Sequence, residues 1–187
     1  IFDLDGTLVD SMPLHYRAWR EALARAGAPD HVFRADEFYS CGGKSANDVV
    51  RFLNERYGMH MDAASTAADK RRIYLEMLEK EGMQPIREVV EFVHSLGDAP
   101  KAIATGSAMP GASRTLAAAG LSGLFDVILT PDEVEHGKPA PDMFLKAAEL
   151  LGVSPDRCVV FEDAEPGMKA AAAAGMDCVQ VRRPSLA

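Results

Sequence analysis

From residue 85 onward, short apolar runs alternate with helix-patterned stretches, and this alternation constrains the fold more than any other feature of the chain. The runs KAIAT, DVILT, CVVFED and DCVQV are separated by helical segments near residues 111–119, 143–151 and 167–174. Apolar strands spaced by helices predict a parallel sheet covered on both faces. The opening IFDLD reads as one more strand, cut off from the others by a helical block across residues 12–82. Within that block, HYRAWREALARAG places Trp19, Ala22, Leu23 and Ala26 at helical spacing, with Gly27 as its stop. ANDVVRFLNERYG and KRRIYLEMLEKEG repeat the pattern. The expected architecture is therefore a doubly wound α/β core, residues 1–12 and 84–187, with a helical insertion, residues 13–83, after its first strand.

Composition narrows the function. The 187 residues carry a net charge of −8, which disfavours a nucleic-acid or anionic-membrane surface. It leaves phosphate ligands open, because a divalent cation can supply positive charge locally. No apolar stretch approaches the roughly 20 residues needed to span a bilayer. Cys41, Cys158 and Cys178 are odd in number and lack CxxC spacing, so a reducing, cytoplasmic setting is expected. Cys158 and Cys178, inside β-branched runs, read as small buried hydrophobes. The chain opens directly in IFDLDGT without Met, so residues before Ile1 are expected to be missing from it. A monomer is expected from the lack of long apolar surface stripes.

Ligands of open parallel sheets bind at the carboxyl ends of the strands. Those ends carry Asp3 and Asp5, then Thr105, Gly106 and Ser107, then Glu162 and Asp163, with Lys138 in the loop GKPAPD. Asp3 and Asp5 are two apart, so an extended backbone points both to one face. Such crowded carboxylates need a cation or a shared proton, and without Cys or His ligands nearby they suit Mg²⁺. Gly6 and Thr7 let the chain turn away sharply. Thr105 offers a hydroxyl, Gly106 an open amide and Lys138 a point charge for a phosphate. Taken singly, each piece has a plain reading: a turn, a helix cap or a solvated lysine. Their order along successive strand ends points to Mg²⁺-assisted phosphoryl transfer with a carboxylate nucleophile.

DLDGTLVDS at 3–11, ATGS at 104–107, GKPAPD at 137–142 and FEDAEPGMKAA at 161–171 resemble the four motifs of the haloacid dehalogenase superfamily. The resemblance spans essentially the whole chain, and the helical insertion resembles the cap of the group holding β-phosphoglucomutase and small sugar-phosphate phosphatases. It implies Asp3 as nucleophile, Asp5 as general acid–base, and Thr105 and Lys138 as phosphoryl-binding groups. It implies Mg²⁺ held by the Asp3 carboxylate, the Asp5 backbone carbonyl and Asp163, with Glu162 helping through water. His15 matches a histidine at the cap hinge of that group.

Hydrolysis and mutase chemistry are separated by the insertion. Where mutases of the group carry an arginine for a second phosphate, CGGKSAND at 41–48 offers Lys44 and Ser45, and a lysine cannot reproduce a bidentate guanidinium clamp. Met109 stands where the mutases tend to have asparagine. Gly43 is expected to let Lys44 approach a sugar; Lys70 lies where mutases of the group carry a cap lysine, though within KRR it reads as part of a solvated basic face. The implied activity is a phosphatase of the fructose 1-phosphate type acting on a small-molecule ester. β-Phosphoglucomutase and a non-catalytic phosphate-binding module are the alternatives. Punctuation by Gly and Pro marks residues 10–13 and 82–85 as the crossings between core and insertion.

Overall fold

The structure, a computed structural model, describes residues 1–42 and 44–182; Gly43 lies outside the described residues. Five helices come first: α1 (Met12–Arg25), α2 (Ala35–Ser40), α3 (Ala46–Tyr57), α4 (Ala63–Glu81) and α5 (Arg87–Ser95). Strands and helices then alternate as β1 (Ala102–Ala104), α6 (Met109–Ala118), β2 (Val127–Leu129), α7 (Asp142–Leu151), β3 (Val159–Glu162), α8 (Glu165–Ala173) and β4 (Asp177–Gln180).

Every ladder among these strands is parallel, β1 on β2 with Ala102 opposite Val127 and β3 on β4 with Val159 opposite Asp177. The amino-terminal segment joins the two pairs, since Phe2 bridges Ile103 on one side and Phe161 on the other. Its backbone bonds run from Phe2 N to Ala102 O at 2.8 Å and from Asp3 N to Phe161 O at 2.9 Å. The spatial order is β2, β1, the Phe2 segment, β3, β4, which puts the first residues of the chain at the centre of the sheet. IFDLD does not form the full strand expected of it. From Leu4 the backbone coils, with Leu8 N and Val9 N both returning to Leu4 O, so the pairing is confined to Ile1, Phe2 and Asp3.

Both faces are covered, as the apolar runs require. Ala102, Ala104, Leu129 and Val160 pack under α7 and α8 through Met143, Phe144, Ala147, Ala170 and Ala171. On the opposite face Phe2 and Ile103 meet Val93 of α5 and Ala112 and Leu116 of α6. Each large side chain buried this way contributes on the order of 1.5–3 kcal/mol. The helical insertion has a core of its own around Trp19, Phe33, Phe38, Val50 and Leu53. Helix α1 serves two cores: Trp19 and Leu23 face that cluster, while Leu14, Ala18 and Ala22 join Ile73, Tyr74 and Leu78 of α4 in the cluster beneath α6. The two crossings are tied to each other, Asp10 N donating to Gln84 O at 3.0 Å and Ile86 N to Leu8 O at 2.8 Å.

Two expectations from the sequence fail here. Cys178 is exposed, because β4 is an edge strand and all four of its residues remain accessible. IFDLD, as described, is the other; the spacing read for α1 holds, with Ala26 as its C-cap, Ala26 N on Ala22 O at 3.0 Å and Gly27 just beyond. Among the described residues, no helix is long and apolar enough to cross a membrane.

Candidate active site

The end of the central segment, the β1–α6 loop, the loop before α7 and the end of β3 meet over one cavity of about 460 Å³. Asp3 sits at its floor as the last residue of the central ladder, where an extended backbone delivers its side chain to the carboxyl edge of the sheet. Lys138 reaches it from the α7 loop, its Nζ donating to Asp3 Oδ1 at 2.6 Å and to Glu162 Oε1 at 2.7 Å. Glu162 Oε2 accepts from Ala164 N at 2.7 Å, so both its oxygens are engaged. Asp163 Oδ1 accepts from Thr7 Oγ1 at 3.1 Å.

Two glycines make this packing possible. A Cβ on Gly167 would lie 1.8 Å from Glu162 Oε1, and one on Gly6 would lie 2.5 Å from Asp163 Oδ2. Gly6 also takes φ +94°, a conformation that penalises any side chain. The glycine of FEDAEPG is thus the space into which the Glu162 side chain folds.

Asp3, Glu162 and Asp163 each offer an oxygen, and the three oxygens lie within 4.8 Å of one another, all buried. Burial drives the Asp3 carboxyl well above its ordinary value; Lys138 pulls it back, while Glu162, Asp163 and Asp5 push it further up. Burial alone would lower the Lys138 ammonium, but Asp3 and Glu162 outweigh it and hold the charge firmly. One ammonium for three buried carboxylates leaves a negative excess that a hard divalent cation would relieve, and an all-oxygen donor set suits Mg²⁺.

Asp5 lives in different surroundings. Ser11 Oγ donates to Oδ1 and Ser107 Oγ to Oδ2, both at 2.6 Å, and His15 Nε2 lies 3.1 Å from Oδ1. Thr105 Oγ1 stands 3.4 Å from Oδ2. Burial would raise this carboxyl, but the His15 charge and the bonds from His15, Ser107 and Ser11 together hold it below the usual carboxylate range. His15 itself is pushed down by burial and then by Lys70, against the pull of Asp5. The hydrogen bonds from His15, Ser107 and Ser11 all favour the ionised form of Asp5. Lys70 Nζ lies 2.8 Å from His15 Nδ1. An ammonium only donates, so Nδ1 accepts, Nε2 carries the proton, and His15 donates it to Asp5.

The sequence-derived residues Asp3, Asp5, His15, Gly106, Ser107, Lys138, Glu162 and Asp163 all line this cavity, and Thr105 is buried beside it. Asp5 stands apart from the acidic cluster: its carboxylate faces the serines and His15. Lys44 lies at the cavity wall but is exposed, its ammonium 5.7 Å from the Phe52 ring. Lys70 overturns the expectation of a solvated basic face, because α4 turns it inward onto His15 between the rings of Trp19 and Tyr74. Ser11 and Tyr74 were not singled out by the sequence, and Thr7 only as part of the turn after Asp5. Thr7 and Ser11 sit inside DLDGTLVDS, where a polar residue flanking the turn was the available signal. Tyr74 is indistinguishable from the apolar stripe of its helix.

The haloacid dehalogenase-like hydrolase family profile matches residues 1–175, and the chain belongs to that family. It is 39% identical over 183 residues to fructose-1-phosphate phosphatase YqaB of Escherichia coli, covering 97% of this chain and 95% of that protein. It is 35% identical to hexitol phosphatase A of the same organism, covering 99% and 83%, and 34% identical to a β-phosphoglucomutase of Mycobacterium bovis, covering 91% and 75%. Among solved structures, CbbY from Rhodobacter sphaeroides in complex with phosphate superimposes with a TM-score of 0.83 at 26% identity, covering 97% and 84%.

Proposed function

We propose that the chain is a Mg²⁺-dependent phosphatase of a small sugar phosphate, with residues 13–83 acting as a cap over a core of residues 1–12 and 84–187. The observation that carries this reading is the opposite environment of two aspartates one residue apart. Asp3 is pressed among carboxylates against Lys138, whereas Asp5 is cradled by hydroxyls and an imidazole. Two carboxyls in surroundings this different can take different work, and a divalent cation beside Asp3 would hold that carboxyl in its ionised, nucleophilic form.

In this reading Asp3 attacks phosphorus as its carboxylate, the bond to the leaving oxygen breaks, and Asp5, which must first take up a proton as the phosphate ester binds, gives that proton to the leaving oxygen. Water then attacks the aspartyl phosphate, Asp5 takes its proton, and phosphate leaves. Lys138, held by Glu162, offsets charge on the transferring group, and Thr105 and Gly106 are placed to donate to its oxygens. Asp3 and Asp163, with Glu162 through water and the Asp5 backbone carbonyl, would hold Mg²⁺, which supplies charge neutralisation at the phosphoryl oxygens. His15, Ser107 and Lys44 line the same cavity, and in this reading they would contact the substrate.

The sugar-phosphate class is supported by the names of the phosphatase relatives, and hydrolysis over mutation by Lys44 and Ser45 in place of a guanidinium clamp. The test is ³¹P NMR with Mg²⁺, using fructose 1-phosphate, and separately β-glucose 1-phosphate primed with glucose 1,6-bisphosphate. Free phosphate that disappears with Asp3→Asn is the expected result. Conversion of β-glucose 1-phosphate to glucose 6-phosphate would replace it with the mutase reading. Binding of phosphate esters with no turnover would leave a binding module.

A further inference from the structure

We propose that the buried hydrogen bond between Tyr74 and Thr115 is a positioning device, which fixes the ring on which His15 and Lys70 rest and so sets His15 against Asp5. The inference rests on the assignment of Asp5 as the general acid–base.

Tyr74 Oη and Thr115 Oγ1 are 2.8 Å apart, one on α4 of the helical insertion and the other on α6 of the sheet domain. Both residues are buried, at 4% and 1% exposure, so neither hydroxyl has water to turn to. The Tyr74 ring lies flat against the His15 imidazole, centroids 4.0 Å apart and planes within 8°. The Lys70 ammonium stands 5.3 Å from the same ring. Both nitrogens of His15 are committed, to Lys70 and to Asp5. A stacked imidazole with both nitrogens bonded keeps its geometry only while the ring beneath it is fixed, and Thr115 is what pins that ring at its far end.

Helix α6 is the informative choice of anchor. It follows the loop whose Ser107 holds Asp5 Oδ2, while His15 holds Oδ1. The Tyr74–Thr115 bond therefore refers the two sides of the Asp5 carboxylate to one rigid element. A threonine within a helix can satisfy its own hydroxyl on the carbonyl a turn earlier, so α6 alone does not require this partner. Displacing a proton-transfer group by about 1 Å costs up to about a hundredfold in rate, which sets the scale of the effect.

The test uses Tyr74→Phe, Thr115→Val, the double variant and Thr115→Ser, each assayed for melting temperature, kcat and KM on the sugar phosphate that wild type hydrolyses. Thr115→Val strands the Tyr74 hydroxyl and should melt lower, whereas Tyr74→Phe leaves Thr115 able to bond within α6 and should melt lower by less. The double variant removes both hydroxyls and should recover most of the melting temperature. If the bond is a positioning device, the double variant still turns over about tenfold more slowly, with KM changed by less than about twofold, and Thr115→Ser is close to wild type. A double variant with recovered melting temperature and wild-type kcat overturns the inference, as does a loss confined to KM.

A second measurement does not depend on turnover: the ¹⁵N shifts of the His15 imidazole in Tyr74→Phe. A change toward a weaker Nε2–H bond is expected, and shifts identical to wild type overturn the proposal. If wild type releases no phosphate from any ester, the functional reading fails, and the imidazole shifts alone decide whether the pair positions His15.

Discussion

Replacing Gly167 by alanine should do more damage than its size suggests. The added Cβ would meet Glu162 Oε1 at 1.8 Å, its Cδ at 2.0 Å and its Cγ at 2.6 Å. Ordinary contact needs about 3.4 Å, so the carboxylate must retreat by roughly 1.5 Å. It now holds Lys138 Nζ and Ala164 N, each at 2.7 Å, and neither bond survives such a shift. Two charge-assisted bonds at about 1.5–3 kcal/mol each put the loss near 3–6 kcal/mol. For a chain of this length that corresponds to roughly 10–20 °C in melting temperature. Turnover should fall with it, because Lys138 loses the partner that aims it at Asp3. Gly111, in α6, is the control: a Cβ there meets nothing within 4 Å, so Gly111→Ala should be neutral or stabilising by up to about 1 kcal/mol. Calorimetry and phosphate release on the two variants suffice. Gly167→Ala melting within about 2 °C of wild type would refute the packing argument.

Gly6→Ala should likewise abolish turnover, since the new Cβ would lie 2.5 Å from Asp163 Oδ2 at a φ of +94°; full activity in that variant would show that Asp163 can move without consequence. Lys70 should make stability rise with alkaline pH. Burial lowers its folded pKa from 10.5 to about 8, so between those values the unfolded chain binds the extra proton and folding is favoured as pH climbs. The gain is on the order of 3 kcal/mol and should be missing from Lys70→Met; urea unfolding curves of the two proteins that stay parallel from pH 7 to 10.5 would contradict it. Orthovanadate, as a phosphate mimic, should bind only when Mg²⁺ is present, and calorimetric binding in EDTA would count against the carboxylate cluster as the cation site.

The sheet and the site's acidic rim were legible because both are written in local pattern. β-Branched runs spaced by helices leave few arrangements, and a parallel sheet sends every strand end to one edge, so Asp3, Thr105, Lys138 and Asp163 could be assembled before any coordinates. Helix boundaries in the sheet domain, such as α7 from Asp142 to Leu151, fell where caps and apolar spacing put them. Cys178 failed because a strand's exposure depends on whether a neighbour pairs with it, which its own residues do not record. IFDLD failed as a full strand because the chain turns back on itself after Leu4, with Gly6 at φ +94° and Leu8 N and Val9 N on Leu4 O.

The inward turn of Lys70, which the resemblance to mutases allowed and the KRR context argued against, and the role of Tyr74 were hidden for a different reason. On a helix, a lysine within KRR reads as solvent-facing, and a tyrosine four residues later reads as core; only the packing of α1 on α4 reveals that both converge on His15. That packing also explains why a buried lysine is tolerated. Lys70 reaches His15 and stands over the rings of Trp19 and Tyr74, in a cavity that Asp3, Asp5, Asp132, Glu162 and Asp163 line together with Lys44, Arg71 and Lys138. The charges are not evenly spread: Asp3, Glu162 and Asp163 crowd at one place, and in the proposed reading a divalent cation there would offset them where the phosphoryl group enters.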